Sequence, residues 1–219
     1  MSILSENQKR LLTVLSREKS ICDNFYLTGV TALAEFYLEH RRSEDLDFFS
    51  ENEFEATAIS VLLRQIQEKT HVKSFRYEQS FNRNLFFLEL ENDTIKTEFT
   101  YFPFPRIEKK KKIGNLYVDS LIDIAVNKIF TIYQNPRSRD FIDLYFILKK
   151  EKEKWKIADL VNEAKIKFDH HLDYLQLGAQ FMKVSELKDY PKMIIKIDDQ
   201  KWQSFFIAEA LKFSPEVLE

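Results

Sequence analysis

The chain has 219 residues and is 44% hydrophobic, enough to bury a core and to exclude disorder as the default state. Its 33 Lys and Arg against 35 Asp and Glu leave a formal net charge of −2, so no global basic field recruits nucleic acid and any polynucleotide contact has to be local. Three glycines, a single cysteine (Cys22) and four histidines without an HExxH pattern exclude a Gly-rich dinucleotide turn, a P-loop, a disulfide framework and a cysteine-rich zinc site. The opening MSILSENQKR lacks a basic-then-apolar signal and no run of 18 apolar residues occurs, which predicts a soluble, cytoplasmic chain without membrane association.

In chain order, Leu4, Leu11, Leu12 and Leu15 recur at helical spacing, with Ser5 or Asn7 as caps, and predict an amphipathic helix over 4–18. Asn24 to Thr28 is a short apolar run ending at Gly29, and the following VTALAEFYLEH suits a buried helix, so this segment reads as strand, glycine turn, helix. Asp45-Leu46-Asp47-Phe48-Phe49 alternates polar and apolar and predicts a strand; residues 53–68 read as a helix. Three β-prone runs follow at 72–78, 84–91 and 94–101, with Asn92-Asp93 as a hairpin signal, and predict an antiparallel extension. Pro103 and Pro105 close this region, and EKKKK at 108–112 is a solvated loop or edge strand, or a phosphate-contacting rim. Helical spacing then governs 119–134, 138–150, 155–168, 171–183 and 199–213. The expected fold is α+β: a mixed-sheet core over 1–115 and a helical region over 116–219 that packs on it to complete a cleft.

The chemistry concentrates between Tyr26 and Phe49. Asp45 and Asp47, at i and i+2 on a strand, share one face, and carboxylate oxygens at that spacing can hold Mg²⁺. Glu98, in Ile95-Lys96-Thr97-Glu98-Phe99, is the candidate third acid if its strand lies beside the first. Taken alone, a DxD is better explained as a solvated acidic strand end, and it is the assembled order of motifs that changes the weighing. Gly29 stands where a strand gives way to a helix, and N–H groups there, with the Thr31 hydroxyl, can hold a phosphate.

Read together, Tyr26-Leu27-Thr28-Gly29-Val30-Thr31-Ala32-Leu33 and His40-Arg41-Arg42-Ser43-Glu44-Asp45-Leu46-Asp47-Phe48-Phe49 resemble the nucleotidyltransferases of the AbiEii/AbiGii toxin type, a branch of the DNA polymerase β-like superfamily. That family has a strand ending in Gly-Gly or Gly-Ser before Thr-Ala-Leu, then His-Arg-x-Ser-x-Asp-Leu-Asp-Phe-Phe. Asp123 to Lys128, followed by Arg139-Asp140-Phe141-Ile142-Asp143-Leu144-Tyr145, is similar to the family's later Lys and Arg-Asp-x-x-Asp motifs. The resemblance spans residues 20–150 and, more loosely, the helical remainder.

It implies a nucleotidyltransferase that takes a nucleoside triphosphate with two Mg²⁺ ions held by Asp45, Asp47 and Glu98, with Gly29, Thr31 and Lys128 toward the triphosphate. Glu98 then doubles as a candidate base. The acceptor is an RNA, a protein or a small molecule, and the setting is the toxin of a bacterial toxin–antitoxin or phage-defence pair with a separately encoded antitoxin. Lys109 to Lys112, with Lys149, Lys150, Lys152 and Lys154, are the stretches a local basic track would use.

Arg41, Ser43, Arg139, Asp140 and Asp143 are the supporting residues. Arg41 either holds a phosphate or braces its loop, and His40 reads as structural. Lys128 borders the apolar stripe of Ile122, Ala125, Ile129 and Ile132, so it either extends to solvent or points into the cleft. Arg139, Asp140 and Asp143, at helical spacing, either pin a helix start, or the Arg139-Asp140 pair orients Lys128 or the sugar of a nucleotide. Val30 departs from the family's second small residue; a β-branched side chain there resists positive φ and crowds a phosphate. The competing class is a catalytically weak or inactive interaction module that keeps the fold; a metal-dependent hydrolase is a third reading, disfavoured by Gly29 with Thr31.

Overall fold

A computed structural model describes residues 2–151 and 154–213, which divide into two units: Met1–Pro105 with Lys109–Ser120, and Arg106–Glu108 with Leu121–Glu219. Each unit follows from its own sequence pattern.

The first opens with α1 (Glu6–Leu15), which starts in a capping box: the Ser5 hydroxyl accepts from the Gln8 N–H while the Gln8 side chain accepts from the Ser5 N–H. The helix expected over 4–18 stops at Leu15, and a short α2 (Lys19–Asn24) follows. β1 (Tyr26–Thr28) runs into α3 (Gly29–Leu33), prolonged by a π-helical turn at Ala34–Leu38 that ends on Glu39 in the left-handed region. Then come β2 (Asp45–Ser50), α4 (Ala56–Gln65), α5 (Gln67–Thr70), β3 (Ser74–Ser80), β4 (Arg83–Glu89) and β5 (Thr94–Tyr101). The single helix read over 53–68 is broken at Ile66, whose φ of −97° and ψ of 1° leave the helical region.

Two three-residue strands, β6 (Lys111–Ile113) and β7 (Leu116–Val118), close the unit as a hairpin through Gly114 at φ +60°. Lys111 and Lys112 of the lysine run thus lie in an edge strand, and Lys110 and Lys112 rest over the Tyr117 ring. β7, within the stretch read as the start of the helical region, pairs in parallel with β1.

The sheet is mixed and seven-stranded, in the order β3-β4-β5-β2-β1-β7-β6. β4 runs antiparallel to both β3 and β5, whereas β2 runs parallel to β5 and antiparallel to β1. Burial alternates along β2, with Leu46, Phe48 and Ser50 inside and Asp45, Asp47 and Phe49 half-buried, as a strand packed on one face requires. Phe48 stacks on Phe99 at 5.1 Å, and Phe25 and Phe86 meet Phe99 edge-on at 5.2 and 5.9 Å. Burying each such ring contributes roughly 1.5–3 kcal/mol, which fixes the strand register and so the face on which the acids stand.

The second unit is helical: α6 (Leu121–Gln134), α7 (Ser138–Lys150), α8 (Ile157–Phe168), α9 (Tyr174–Met182), a 3-10 turn (Lys183–Ser185) and α10 (Asp199–Lys212). Phe141, Phe181, Trp202 and Phe206 form its aromatic core. α9 starts later than the 171 expected because Asp173 caps it, accepting from the Gln176 N–H at 2.8 Å. Beneath the apolar packing lies a fully buried ion pair, Lys167 to Asp123 at 2.6 Å, whose carboxylate also accepts from the Ile107 and Glu108 N–H groups. Among the described residues no helix is long and apolar enough to cross a membrane.

Candidate active site

The parallel register of β2 and β5 sets Asp45 beside Lys96 and Asp47 beside Glu98, so all four side chains stand on one face of neighbouring strands. Asp45 pairs with Lys96 Nζ at 2.8 Å. Glu98 is gripped by the Arg83 guanidinium in a two-point fork, Nε to Oε1 at 2.7 Å and Nη2 to Oε2 at 2.5 Å, and accepts the Thr100 hydroxyl at 2.8 Å. Burial pushes the Glu98 carboxyl up, but the Arg83 hydrogen bonds and charge, Thr100 and Lys96 outweigh it and hold the group below its ordinary value. The Arg83 guanidinium is raised in turn, first by Glu98, and the charges of Asp47 and Asp45 add to it.

Gly29 is what lets β1 approach this face. Its φ is +65°, and a Cβ there would overlap the Asp47 carboxylate. Thr28, the last residue of β1, lies opposite Asp47 in the ladder, and its hydroxyl donates to the buried Asp119 at 2.7 Å. The Thr31 hydroxyl is fully buried; it bonds the Ser43 hydroxyl at 2.6 Å and the Asp45 carbonyl oxygen, while Gln8 donates to the Ser43 carbonyl at 3.0 Å. Thr31 and Ser43 therefore lock the backbone that carries Asp45. Arg41 and His40 are both buried, Arg41 reaching the Arg42 carbonyl at 3.3 Å, so the half of the reading that has Arg41 bracing its loop has a geometric basis.

Val30 is not in the positive-φ region; Gly29 alone carries that conformation in the turn. The side chain of Val30 packs against the cluster of Ile3, Leu4 and Ala34. The backbone objection to a β-branched residue at this position therefore falls away.

In the second unit, Lys128 is held between Asp140 at 2.6 Å and Asp143 at 2.7 Å, all three largely buried. Of the two placements read for it, open solvent is excluded by this pairing. Burial pushes the Asp140 carboxyl up, and Lys128 and Arg137 overcome that and bring it below its ordinary value. The arginine of this cluster is Arg137, at 2.7 Å from Asp140, whereas Arg139 faces Asp189 at 3.8 Å. The Asp140 and Asp143 pair thus orients Lys128, and Arg139 stands outside the pair that does so. Lys149 and Lys150 are exposed at the end of α7, Lys154 lies over the Trp155 ring, and Lys152 falls outside the described residues.

The sequence reading missed Arg83, Lys96, Asp119 and Lys167. Lys96 and Arg83 carry a visible signal in retrospect: each is a lone cation at period two in a β-run, on the face that also holds an acid. Asp119 and Lys167 carry none, because their burial depends on tertiary packing.

Three carboxylates on adjacent strands are the hard oxygen donors that Mg²⁺ takes, and the missing side chain at Gly29 makes room for the Asp47 carboxylate. The donor set fits such an ion. Among the described residues no three His, Cys, Asp or Glu side chains are already gathered around one point as ligands, since Asp45 and Glu98 are turned to Lys96 and Arg83.

Residues 11–212 match the family described as "Nucleotidyl transferase AbiEii toxin, Type IV TA system". The chain is 36% identical over 152 residues to the uncharacterized protein aq_aa25 of Aquifex aeolicus (strain VF5), covering 68% of each. By fold it is similar to the crystal structure of a proposed nucleotidyltransferase from Helicobacter pylori, with a TM-score of 0.63 and 20% identity over 99% of both chains. It is also similar to JHP933 from Helicobacter pylori, with a TM-score of 0.59 and 20% identity over 97% of this chain and 94% of that one.

Proposed function

From the premise that this chain belongs to the AbiEii nucleotidyltransferase toxin family, and is thus a nucleotidyltransferase, we propose that it moves a nucleoside monophosphate from a nucleoside triphosphate to a hydroxyl acceptor on the face of β2 and β5. The observation that carries this reading is the register of Asp45, Asp47 and Glu98 on parallel neighbours, with Gly29 against Asp47. Asp45, Asp47 and Glu98 are the residues that would hold Mg²⁺, two ions in the family's manner, and the metal would supply neutralisation of the charge that develops during phosphoryl transfer.

The remaining work falls to the chain. Gly29 makes room for the Asp47 carboxylate, and the N–H groups at the start of α3 are the ones we assign to the phosphates. Thr31 and Ser43, expected to touch phosphate or support the site, act here by fixing the Asp45 backbone. Arg83 keeps Glu98 ionised, and an ionised Glu98 is able to accept the proton of the attacking hydroxyl. Lys128, oriented by Asp140 and Asp143, is the proposed cation for the triphosphate. RNA is the acceptor class we favour over a protein or small molecule, with the lysine stretches as its local contacts. We propose a cognate antitoxin as its genetic partner and the cytoplasm as its place of action, a reading supported by the family's toxin–antitoxin setting.

The test is incubation with each labelled nucleoside triphosphate, Mg²⁺ and total RNA or cell extract, alongside Asp45→Asn combined with Asp47→Asn. Labelled product from the wild type and none from the double mutant is expected, with metal-dependent nucleotide binding by calorimetry lost in the mutant. A specific observation favours one alternative, a weak or inactive module: Asp45 and Glu98 already have cationic partners in Lys96 and Arg83. Metal-independent nucleotide binding, unchanged in the double mutant and with no product, selects that alternative.

A further inference from the structure

The two edges of the sheet are unlike. β6 is three residues long and carries Lys111 and Lys112, the short, charged form in which edges resist pairing. β3 is seven residues long, Ser74-Phe75-Arg76-Tyr77-Glu78-Gln79-Ser80, lacks proline, and is exposed at every position but Phe75. It pairs only with β4 among the described residues.

Which backbone groups of β3 are free follows from the ladder. The Tyr101 N–H donates to the Asn82 carbonyl at 3.1 Å. Alternation from that bond turns the groups of Asn84, Phe86 and Leu88 toward β5 and those of Arg83, Leu85, Phe87 and Glu89 toward β3. Their partners Ser80, Glu78, Arg76 and Ser74 therefore face β4, and Phe75, Tyr77 and Gln79 present their N–H and C=O groups at the open edge.

We propose that this edge is a homodimer interface, in which β3 of two copies pairs antiparallel about a two-fold axis through Tyr77. The strand is self-complementary about that residue. Ser74 meets the partner's Ser80, Phe75 meets the partner's Gln79, and Arg76 meets the partner's Glu78. Each relation is repeated in reverse, as an isologous contact demands. The outward groups of Phe75, Tyr77 and Gln79 then complete six backbone hydrogen bonds. Arg76 and Glu78 fall at the positions without backbone bonds, where facing side chains come closest.

Charge selects this register. A two-fold axis moved by one residue along the strand sets Arg76 against the partner's Arg76, or Glu78 against the partner's Glu78, and like charges directly opposite repel. In the single chain Arg76 pairs with Glu78 two residues on and lies over the Phe87 ring, so both charges are on the face where they would meet a second copy. The same register brings Phe81 opposite the partner's Lys73. Phe81 is 94% exposed at the tip of the β3–β4 hairpin with φ +53°, a conformation that a phenylalanine rarely adopts.

The test is sedimentation equilibrium of the full chain and three variants: R76E, E78R and R76E/E78R. The wild type and the double variant sediment at twice the chain mass. Each single variant places like charges at both symmetric positions and weakens the dimer by about tenfold to a hundredfold. Mixing R76E with E78R in equal amounts restores a dimer, because the acidic strand of one faces the basic strand of the other; neither chain regains its internal pair, so the recovery reports the intermolecular contact. Tyr77→Pro is a backbone control: an edge strand tolerates proline where the N–H points outward, so the fold survives while two of the six bonds and the close approach are lost. A monomeric wild type, a dimer indifferent to R76E and E78R, or a mixture that stays monomeric overturns the proposal.

Discussion

Arg83→Ala isolates the group that holds Glu98 in its charged form. The Glu98 side chain is 6% exposed and that of Arg83 48% exposed. The pair therefore lies between an exposed ion pair, worth about 0–1 kcal/mol, and a buried one whose breakage costs about 3–5 kcal/mol. A loss of about 1–3 kcal/mol at pH 7 follows, a fall in Tm on the order of 3–10 °C for a chain of this size.

The pH dependence carries the diagnostic sign. In the wild type the folded Glu98 value is depressed below its ordinary 4.5, so its stabilisation is full above that pH and is lost as the pH falls through the folded value. In Arg83→Ala the hydrogen bond and charge of Arg83 are gone, burial is opposed only by Thr100 and Lys96, and the folded value is expected to rise above 4.5. The penalty is then greatest near neutrality and is relieved on acidification. Urea unfolding of both proteins from pH 7 to 4.5 should show the gap between them shrinking, and Glu98→Gln in the Arg83→Ala background should remove its pH dependence. A gap that is constant with pH, or under about 0.5 kcal/mol throughout, refutes the account of Glu98.

Gly29→Ala should lower activity at least a hundredfold at matched folded fraction, since a Cβ meets the Asp47 carboxylate and left-handed backbone costs a further ~1–2 kcal/mol. Val30→Ser should leave turnover within about twofold and cost about 1 kcal/mol of stability by urea unfolding, because its side chain packs on Ile3, Leu4 and Ala34; a large gain in pyrophosphate release would instead show that Val30 obstructs the phosphates. Lys128→Met should destabilise by about 3–5 kcal/mol through the stranded Asp140 and Asp143, with partial recovery on adding Asp143→Asn. Asp140 is depressed by Lys128 and Arg137, so this contribution should be full at neutral pH and fade only below its ordinary value of 3.8.

The parts legible in the sequence were those written in local period. The alternation of Asp45 to Phe49 gave the strand and its solvent-facing acids, and the break at Gly29 gave the turn, because only glycine takes φ +65° there without strain. The pairing of Glu98 beside Asp47 was an inference that the parallel β2 and β5 register bears out. The β6 and β7 hairpin was invisible, since three residues are too few to display a period. The partners of the acids were hidden for another reason: Arg83 comes from one hairpin strand away and Arg137 from just ahead of its helix, and spacing along one element cannot choose Arg137 over Arg139.

The parallel pairing of β2 with β5 has a consequence in time. Asp47 and Glu98 are about fifty residues apart, and β1 finds its parallel neighbour β7 about ninety residues on. At roughly 5–20 residues per second on the ribosome, Glu98 leaves the peptidyl transferase centre about 3–10 s after Asp47. No N-terminal fragment ending before β5 can bring the acids together. On the role proposed for these acids, the chain has no transferase chemistry through the first half of its own synthesis and gains it only when the late strands arrive to close the early ones.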